Sequence, residues 1–104
     1  IELPDSLEYI GTGAFLGCQK ITEVILPESV KYIGQSSFAN CDALQNVSVP
    51  KSVETIGHGA FSGCKALEEI HYGGTCAEWS ARMAQAVYNG ADPKIICTDG
   101  TICP

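Results

Sequence analysis

The sequence PESVKYIGQSSFANCDALQNVSV spans residues 27–49, and near-copies of it lie immediately before and after. They are PDSLEYIGTGAFLGCQKITEVIL at residues 4–26 and PKSVETIGHGAFSGCKALEEIHY at residues 50–72, and the three units align without a gap. Six columns of equivalent positions are identical in all of them: Pro4/Pro27/Pro50, Ser6/Ser29/Ser52, Ile10/Ile33/Ile56, Gly11/Gly34/Gly57, Phe15/Phe38/Phe61 and Cys18/Cys41/Cys64. The sequence therefore repeats every 23 residues. A repeat of this length predicts a solenoid, because one unit cannot bury its own apolar face whereas stacked units form a continuous core.

Each unit contains two short segments with the pattern of extended chain. Residues 21–26, ITEVIL, end with the inward and outward alternation of a half-buried strand, and Pro27, which lacks an N–H, ends the ladder. Residues 30–33, VKYI, form the second segment, and we expect Gly34 to close it with a positive φ.

A helical turn is predicted around Phe38, the bulky residue that fills the centre of the coil. It ends at the column Gly17/Asn40/Gly63, since Gly and Asn best tolerate the left-handed conformation that ends a helix. We therefore expect a right-handed coil, with short parallel strands on one side and short helical turns on the other.

The pattern LPxSVxxIGxxAFxxCxxLxxV, found at residues 26–47, resembles the BspA-like leucine-rich repeat. The resemblance covers residues 1–72, and the segments around Trp79 and Cys97–Thr101 resemble the ending of such arrays. It implies a leucine-rich-repeat solenoid from a secreted or surface-anchored bacterial protein, outside the cell. It also implies adhesion to host matrix or cell-surface proteins, and it transfers no catalytic residue.

The repeat register divides the chain into five parts. Residues 1–3 match the end of a preceding unit, 4–26, 27–49 and 50–72 are repeats, and 73–104 form a C-terminal cap. We therefore expect a fragment of a longer chain, whose uncovered N-terminal coil pairs end to end with another copy.

The cap is predicted to contain a helix at about residues 76–88, followed by a strand and a turn. Thr75 and Glu78 have the spacing of a capping box, in which each side chain accepts from the other residue's backbone N–H. The helix is expected to bury one apolar stripe, formed by Trp79, Met83, Ala86 and Val87. Asn89-Gly90 and Pro93 are expected to end it. A strand at Lys94–Cys97 and a turn at Asp99-Gly100 are expected to follow.

The composition excludes several classes of protein. A net charge of −6 argues against nucleic-acid binding, which needs clustered Lys and Arg. No apolar run approaches the ~20 residues of a transmembrane helix. We expect neither a cofactor nor a metal, and no catalytic residues.

The cysteines fall into two groups. Cys18, Cys41 and Cys64 form a repeat column, and we expect buried thiols there because a linear column cannot surround zinc tetrahedrally. Of the remaining three, Cys97 is expected to be packed, and a disulfide that pins the tail through Cys76 and Cys103 is one alternative. The sequence leaves the connectivity open.

The outward columns of the main sheet are the candidate protein-binding face, since solenoids bind partners on such surfaces, although a merely solvated face is the alternative. Its residues are Glu2, Glu23, Ile25, Asn46, Ser48, Glu69 and His71. Tyr9 and Tyr32 are candidate aromatic anchors on the other side of the coil. His58 is expected in a solvated loop, and pairing of His71 with Cys64 or Cys76 in a dyad is disfavoured because nothing orients it.

These observations favour a non-catalytic protein-binding or adhesion module. One alternative is a structural spacer or anchoring region of a larger surface protein. Another is the targeting arm of a cell-wall enzyme.

Overall fold

Two sheets of mainly parallel strands run along the coil axis in the computed structural model, which describes residues 3–82 and 92–103. The smaller sheet has the order β1-β3-β5, and the larger has the order β2-β4-β6-β7-β8. The elements in chain order are β1 (Tyr9–Ile10), β2 (Glu23–Ile25), β3 (Tyr32–Ile33), β4 (Asn46–Val49), β5 (Thr55–Ile56), β6 (Glu69–Tyr72), α1 (Cys76–Arg82), β7 (Lys94–Ile96) and β8 (Ile102–Cys103). The predicted solenoid of stacked parallel strands is confirmed.

The strand register follows the repeat period. Val24 pairs with Val47 and Val47 pairs with Ile70, so the same column of each coil lies directly over the next. Strand β7 continues the sheet in parallel beside β6, and β8 then folds back antiparallel along β7. The chain after residue 72 therefore extends the main sheet by two strands.

The backbone around Phe38 is not helical, and the predicted helical turn is wrong. Residues 35–40 form successive turns. Along them, one backbone N–H bonds to a carbonyl of the same coil and the next N–H bonds to a carbonyl of the following coil. Ala39 N–H donates to Ser36 O at 3.2 Å, whereas Phe38 N–H donates to Ala60 O at 2.8 Å. A helix directs all its N–H groups along its own axis, so it could not make these bonds between coils.

Two columns carry positive φ in this region. One is the predicted column, with φ of 73°, 59° and 76° at Gly17, Asn40 and Gly63. The other column is Gly13, Ser36 and Gly59, with φ of 65°, 55° and 67°. The two columns lie four residues apart and bend the chain through consecutive turns.

The predicted positive φ at Gly34 is wrong, and the close approach of neighbouring backbones explains the glycine instead. Positive φ occurs at neither Gly34 nor Gly57. A Cβ on Gly34 would lie 2.7 Å from Ile10 O and from Gly11 C, and a Cβ on Gly57 would lie 2.7 Å from Gly34 C. Backbones of neighbouring coils approach too closely here for any side chain.

The core consists of columns that stack along the axis. The rings of Phe15 and Phe38 lie 5.0 Å apart and those of Phe38 and Phe61 lie 5.5 Å apart, nearly parallel in both pairs. The identical serines also connect coils, since Ser29 Oγ donates to Leu7 O at 2.6 Å and Ser52 Oγ to Val30 O at 2.8 Å. Several core side chains of the first coil are only partly buried, namely Leu7, Phe15, Cys18 and Ile21.

Helix α1 begins with the predicted capping box. Glu78 N–H donates to Thr75 Oγ1 at 3.2 Å, and Thr75 N–H donates to Glu78 Oε1 at 3.0 Å. The second bond is the main cause that holds the pKa of Glu78 below its ordinary value. Trp79 is buried edge-on against Tyr72, with ring centroids 5.2 Å apart.

The predicted extension of the helix to residue 88, with Met83, Ala86 and Val87, lies outside the described residues, as does its predicted end at Asn89-Gly90. Among the described residues, no helix has the length and apolar character needed to cross a membrane.

Candidate protein-binding face

Two rows of side chains cover the outward surface of the main sheet. Alternation along β2, β4 and β6 turns the valines and Ile70 into the core and the residues on either side outward. The strand register aligns these outward residues in the rows Glu23–Asn46–Glu69–Lys94 and Ile25–Ser48–His71–Ile96. We call this surface the sheet face. Every predicted face residue except Glu2, which lies outside the described residues, belongs to it.

Lys94 and Ile96 are the members of the sheet face that the sequence analysis missed. The segment was recognised as a strand, but its place in the sheet was not. Lys94 lies opposite Glu69, a separation of 25 residues (94 − 69), so the repeat period no longer indicated the register. The apolar pattern of Lys94–Cys97 indicated a strand, but it did not indicate the strand with which this segment would pair.

The polar groups of the sheet face include one close pair. Glu69 and His71 lie two apart on β6 and therefore project on the same side, where His71 Nε2 lies 3.0 Å from Glu69 Oε1. Glu23 is exposed at the other end of the same row as Glu69. Lys94 places a positive charge next to Glu69, at the opposite end of this row from Glu23.

Apolar surface accompanies the polar groups. Ile25 is 56% exposed, and Ile96 is half-buried at the other end of its row. A groove of about 370 Å³ runs beside this row, where the four strands end. Its lining comes from four successive strand ends: Ile25, Leu26, Glu28, Ser48, Val49, Pro50, His71, Tyr72, Gly73, Ile96, Cys97 and Thr98. Such a surface can hold a partner by apolar contact and hydrogen bonds.

The predicted aromatic pair lies on the smaller sheet. Tyr9 and Tyr32 stack with ring centroids 5.0 Å apart, and they are 63% and 37% exposed. Because they belong to β1 and β3, they are not part of the sheet face. His58 is exposed in the turn after β5, as expected.

A family model described as "BspA type Leucine rich repeat region (6 copies)" matches residues 1–87. The chain belongs to this family. No curated protein and no solved structure matches it. The match extends beyond residue 72, where the period ends, and so includes the sequence of α1.

Repeats of the BspA type are generally non-catalytic, commonly mediate protein interactions and typically come from bacterial surface proteins. The geometry around His71 gives no support to a dyad. Cys64 is buried and donates to Phe38 O, and Cys76 is in a disulfide. Neither sulfur is therefore free to pair with the imidazole.

In the cysteine column of this BspA-type array, the predicted burial is found at Cys41 and Cys64, whereas Cys18 is only partly buried. Cys18, Cys41 and Cys64 are free thiols, and the last two are fully buried. Burial raises the pKa of Cys41, and it raises the pKa of Cys64 to about 11. Burial therefore disfavours the thiolate, which is the reactive form, at Cys41 and Cys64.

The remaining cysteines cluster in the segment that follows β6. Cys76 and Cys103 form the disulfide that the sequence had left as one alternative, with Cα atoms 5.4 Å apart. Cys97 remains a free thiol, packed against both of them and only 4% exposed. Burial is the main cause that raises its pKa, and the nearby Asp99 carboxylate raises it further.

Proposed function

We propose that this chain is a non-catalytic adhesion module of a bacterial surface protein, which binds host matrix or cell-surface proteins through the sheet face. Membership of the family supports a role in protein interaction. The observation that carries the proposal is the combination of an exposed Ile25, an open groove and a mixed-charge row on one side of a rigid sheet.

The rigidity of the scaffold supports this use. Val24, Val47 and Ile70 are fully buried directly beneath the sheet face, so its outward side chains are held in a fixed register. A preorganised surface loses little conformational entropy when a partner binds. The outward positions can vary between units without disturbing the columns that form the core.

The test is a binding measurement on an immobilised 104-residue chain with fibronectin and fibrinogen as ligands. We expect saturable binding that weakens roughly tenfold or more when Glu23, Glu69 and His71 are all changed to Ala, because one important contact among the three, worth about 1.4 kcal/mol, is enough for a factor of ten.

A matched control variant carries Glu8→Ala, Glu54→Ala and His58→Ala. It removes the same residue types from exposed positions off the sheet face, so the change in net charge is identical. Equal loss of binding in both variants would attribute the effect to overall charge and contradict the proposal. Absence of binding by the wild-type chain to every ligand would instead favour a spacer role.

A further inference from the structure

Three sulfur atoms meet in the C-terminal cap, at the junction of three elements. Cys76 is the first residue of α1, Cys97 directly follows β7, and Cys103 ends β8. The Sγ of Cys97 lies 3.2 Å from the Sγ of Cys76 and 3.1 Å from the Sγ of Cys103, which are bonded to each other. A free thiol is thus in contact with both sulfurs of a disulfide.

We propose that Cys76, Cys97 and Cys103 form a thiol–disulfide exchange site that takes small exogenous thiols as its substrates, with Cys97 as the resolving thiol. The site is separate from the proposed binding function, and either proposal can fail without the other.

The chemistry requires no oxidant. An exogenous thiolate attacks Cys103 Sγ, the Cys76–Cys103 bond breaks, and Cys76 leaves as a thiolate that takes a proton from water. Cys97 then loses its proton and attacks Cys103 Sγ, forming a Cys97–Cys103 bond and releasing the exogenous thiolate. Attack at Cys76 Sγ gives the Cys76–Cys97 bond in the same way. The number of disulfides is unchanged, and the small thiol is regenerated.

The geometry explains why an exogenous thiol is needed. Cys97 Sγ is almost equidistant from the two bonded sulfurs, so it lies beside the disulfide rather than in line with it. Displacement at sulfur requires the entering and leaving sulfurs to lie on opposite sides of the attacked atom. Once an exogenous sulfur has replaced one partner, the attacked cysteine can rotate and place that leaving group opposite Cys97.

The solvent exposure of the three cysteines agrees with their proposed roles, in which the disulfide is attacked from outside and Cys97 acts as the resolving thiol. Cys76 and Cys103 are partly exposed, so a small thiol can reach the disulfide. Cys97 is 4% exposed and is therefore shielded from direct modification. Cys64 is also a buried free thiol, but it donates to a backbone carbonyl in the repeat array and provides a matched control.

The experiment maps the disulfide before and after incubation of the intact chain with reduced glutathione in less than molar equivalence at pH 8. Acid stops the exchange, and the free thiols are alkylated under denaturing conditions at low pH so that the disulfide cannot move during digestion. Trypsin with cleavage before Asp99 then separates the three cysteines, because Arg82 and Lys94 lie between Cys76 and Cys97 and Asp99 lies between Cys97 and Cys103. Each possible disulfide then joins a different pair of peptides.

We expect the disulfide to move from Cys76–Cys103 so that roughly a tenth or more of it includes Cys97, with glutathione recovered. The Cys97→Ser variant should retain Cys76–Cys103 as its only disulfide within the chain, because only the displaced cysteine is then left to release glutathione from the mixed disulfide. The Cys64→Ser variant should behave as the wild type.

A disulfide that stays between Cys76 and Cys103 while Cys97 remains fully available to alkylation after denaturation would overturn the proposal. Loss of the Cys76–Cys103 disulfide to the same extent in wild type and in Cys97→Ser would overturn it as well. The wild-type map does not depend on any variant, so it decides the question even if Cys97→Ser fails to fold.

Discussion

The Cys64 thiol donates a hydrogen bond to the carbonyl oxygen of Phe38, 3.0 Å away in the preceding coil. Cys41 makes the same bond to Phe15 O at 3.3 Å. Cys41 and Cys64 therefore connect their coils to the aromatic residue of the coil before, which explains why a small buried donor occurs at these two positions.

The burial of the Cys64 thiol makes stability sensitive to alkaline pH. The pKa of Cys64 rises from 9.0 to about 11 in the folded chain because burial disfavours the thiolate. The folded state therefore retains the proton longer than the unfolded state, so the contribution is complete below pH 9 and is lost as the pH rises towards 11. The loss amounts to roughly 2–3 kcal/mol.

The measurement is urea unfolding of wild type and Cys64→Ser at pH 8 and near pH 11. Serine retains a donor and does not titrate in this range, so the two proteins share every other alkaline effect. The free energy of unfolding of the wild type should fall more than that of the variant. A constant difference between them would show that the thiol does not ionise on unfolding.

Phe38 should be the most sensitive residue of the core. It is fully buried between the rings of Phe15 and Phe61, so Phe38→Ala leaves a cavity and should lower the free energy of unfolding by about 3–5 kcal/mol. Phe15→Ala should cost less, because Phe15 is only partly buried. Chemical denaturation compares the two, and a change below 1 kcal/mol for Phe38→Ala would contradict the packing described.

The inward columns could be predicted from the sequence because their constraint is periodic. Phe38, Cys41 and Val47 recur every 23 residues, and burial requires the same chemistry at each copy. The path of the backbone between them was not predictable in the same way. Ser36 adopts a φ of 55° in a column otherwise filled by glycine, and serine alone gives no sign of that conformation.

The candidate site was predicted only as far as the repeats extend. Glu23, Asn46 and Glu69 lie in one row as expected, because each coil repeats the same register. Lys94 joins that row from outside the repeat, and its place depends on how the chain returns after α1. The proximity of Cys97 to a disulfide has the same origin, since no pattern in the sequence encodes a distance across the cap.

Ser37 offers a stabilising substitution. Its hydroxyl is fully buried without a hydrogen-bond partner, and the equivalent residues in the other units are Ala14 and Ala60. Ser37→Ala should raise the free energy of unfolding by about 1 kcal/mol, since an unpaired buried hydroxyl costs desolvation energy. Ser48→Ala on the sheet face is the control and should have little effect. Destabilisation by Ser37→Ala in thermal unfolding would reveal a partner for the hydroxyl.

The first coil should mediate weak self-association of this 104-residue chain. Leu7, Phe15 and Ile21 are partly buried, whereas their equivalents Val30, Phe38 and Leu44 are fully buried. Covering this apolar end against a second copy would remove it from water. Sedimentation velocity should show an average mass that rises with concentration and falls on Leu7→Glu. A monomer at every concentration would contradict the expectation.

The glycine column provides the sharpest test of how closely the coils stack. A Cβ on Gly57 would lie 2.7 Å from the Gly34 carbonyl carbon and from Gln35 Cα, and these are backbone atoms that cannot rotate away. A Cβ on Gly11 would meet nothing within 4 Å, and neither residue has a positive φ. Gly57→Ala should therefore cost about 1–3 kcal/mol or more, while Gly11→Ala should be neutral or slightly stabilising because it restricts the unfolded chain. Urea unfolding of the two variants separates steric conflict between coils from glycine flexibility. Equal losses in both would mean that this column is glycine for its conformation, and that adjacent coils have room to separate.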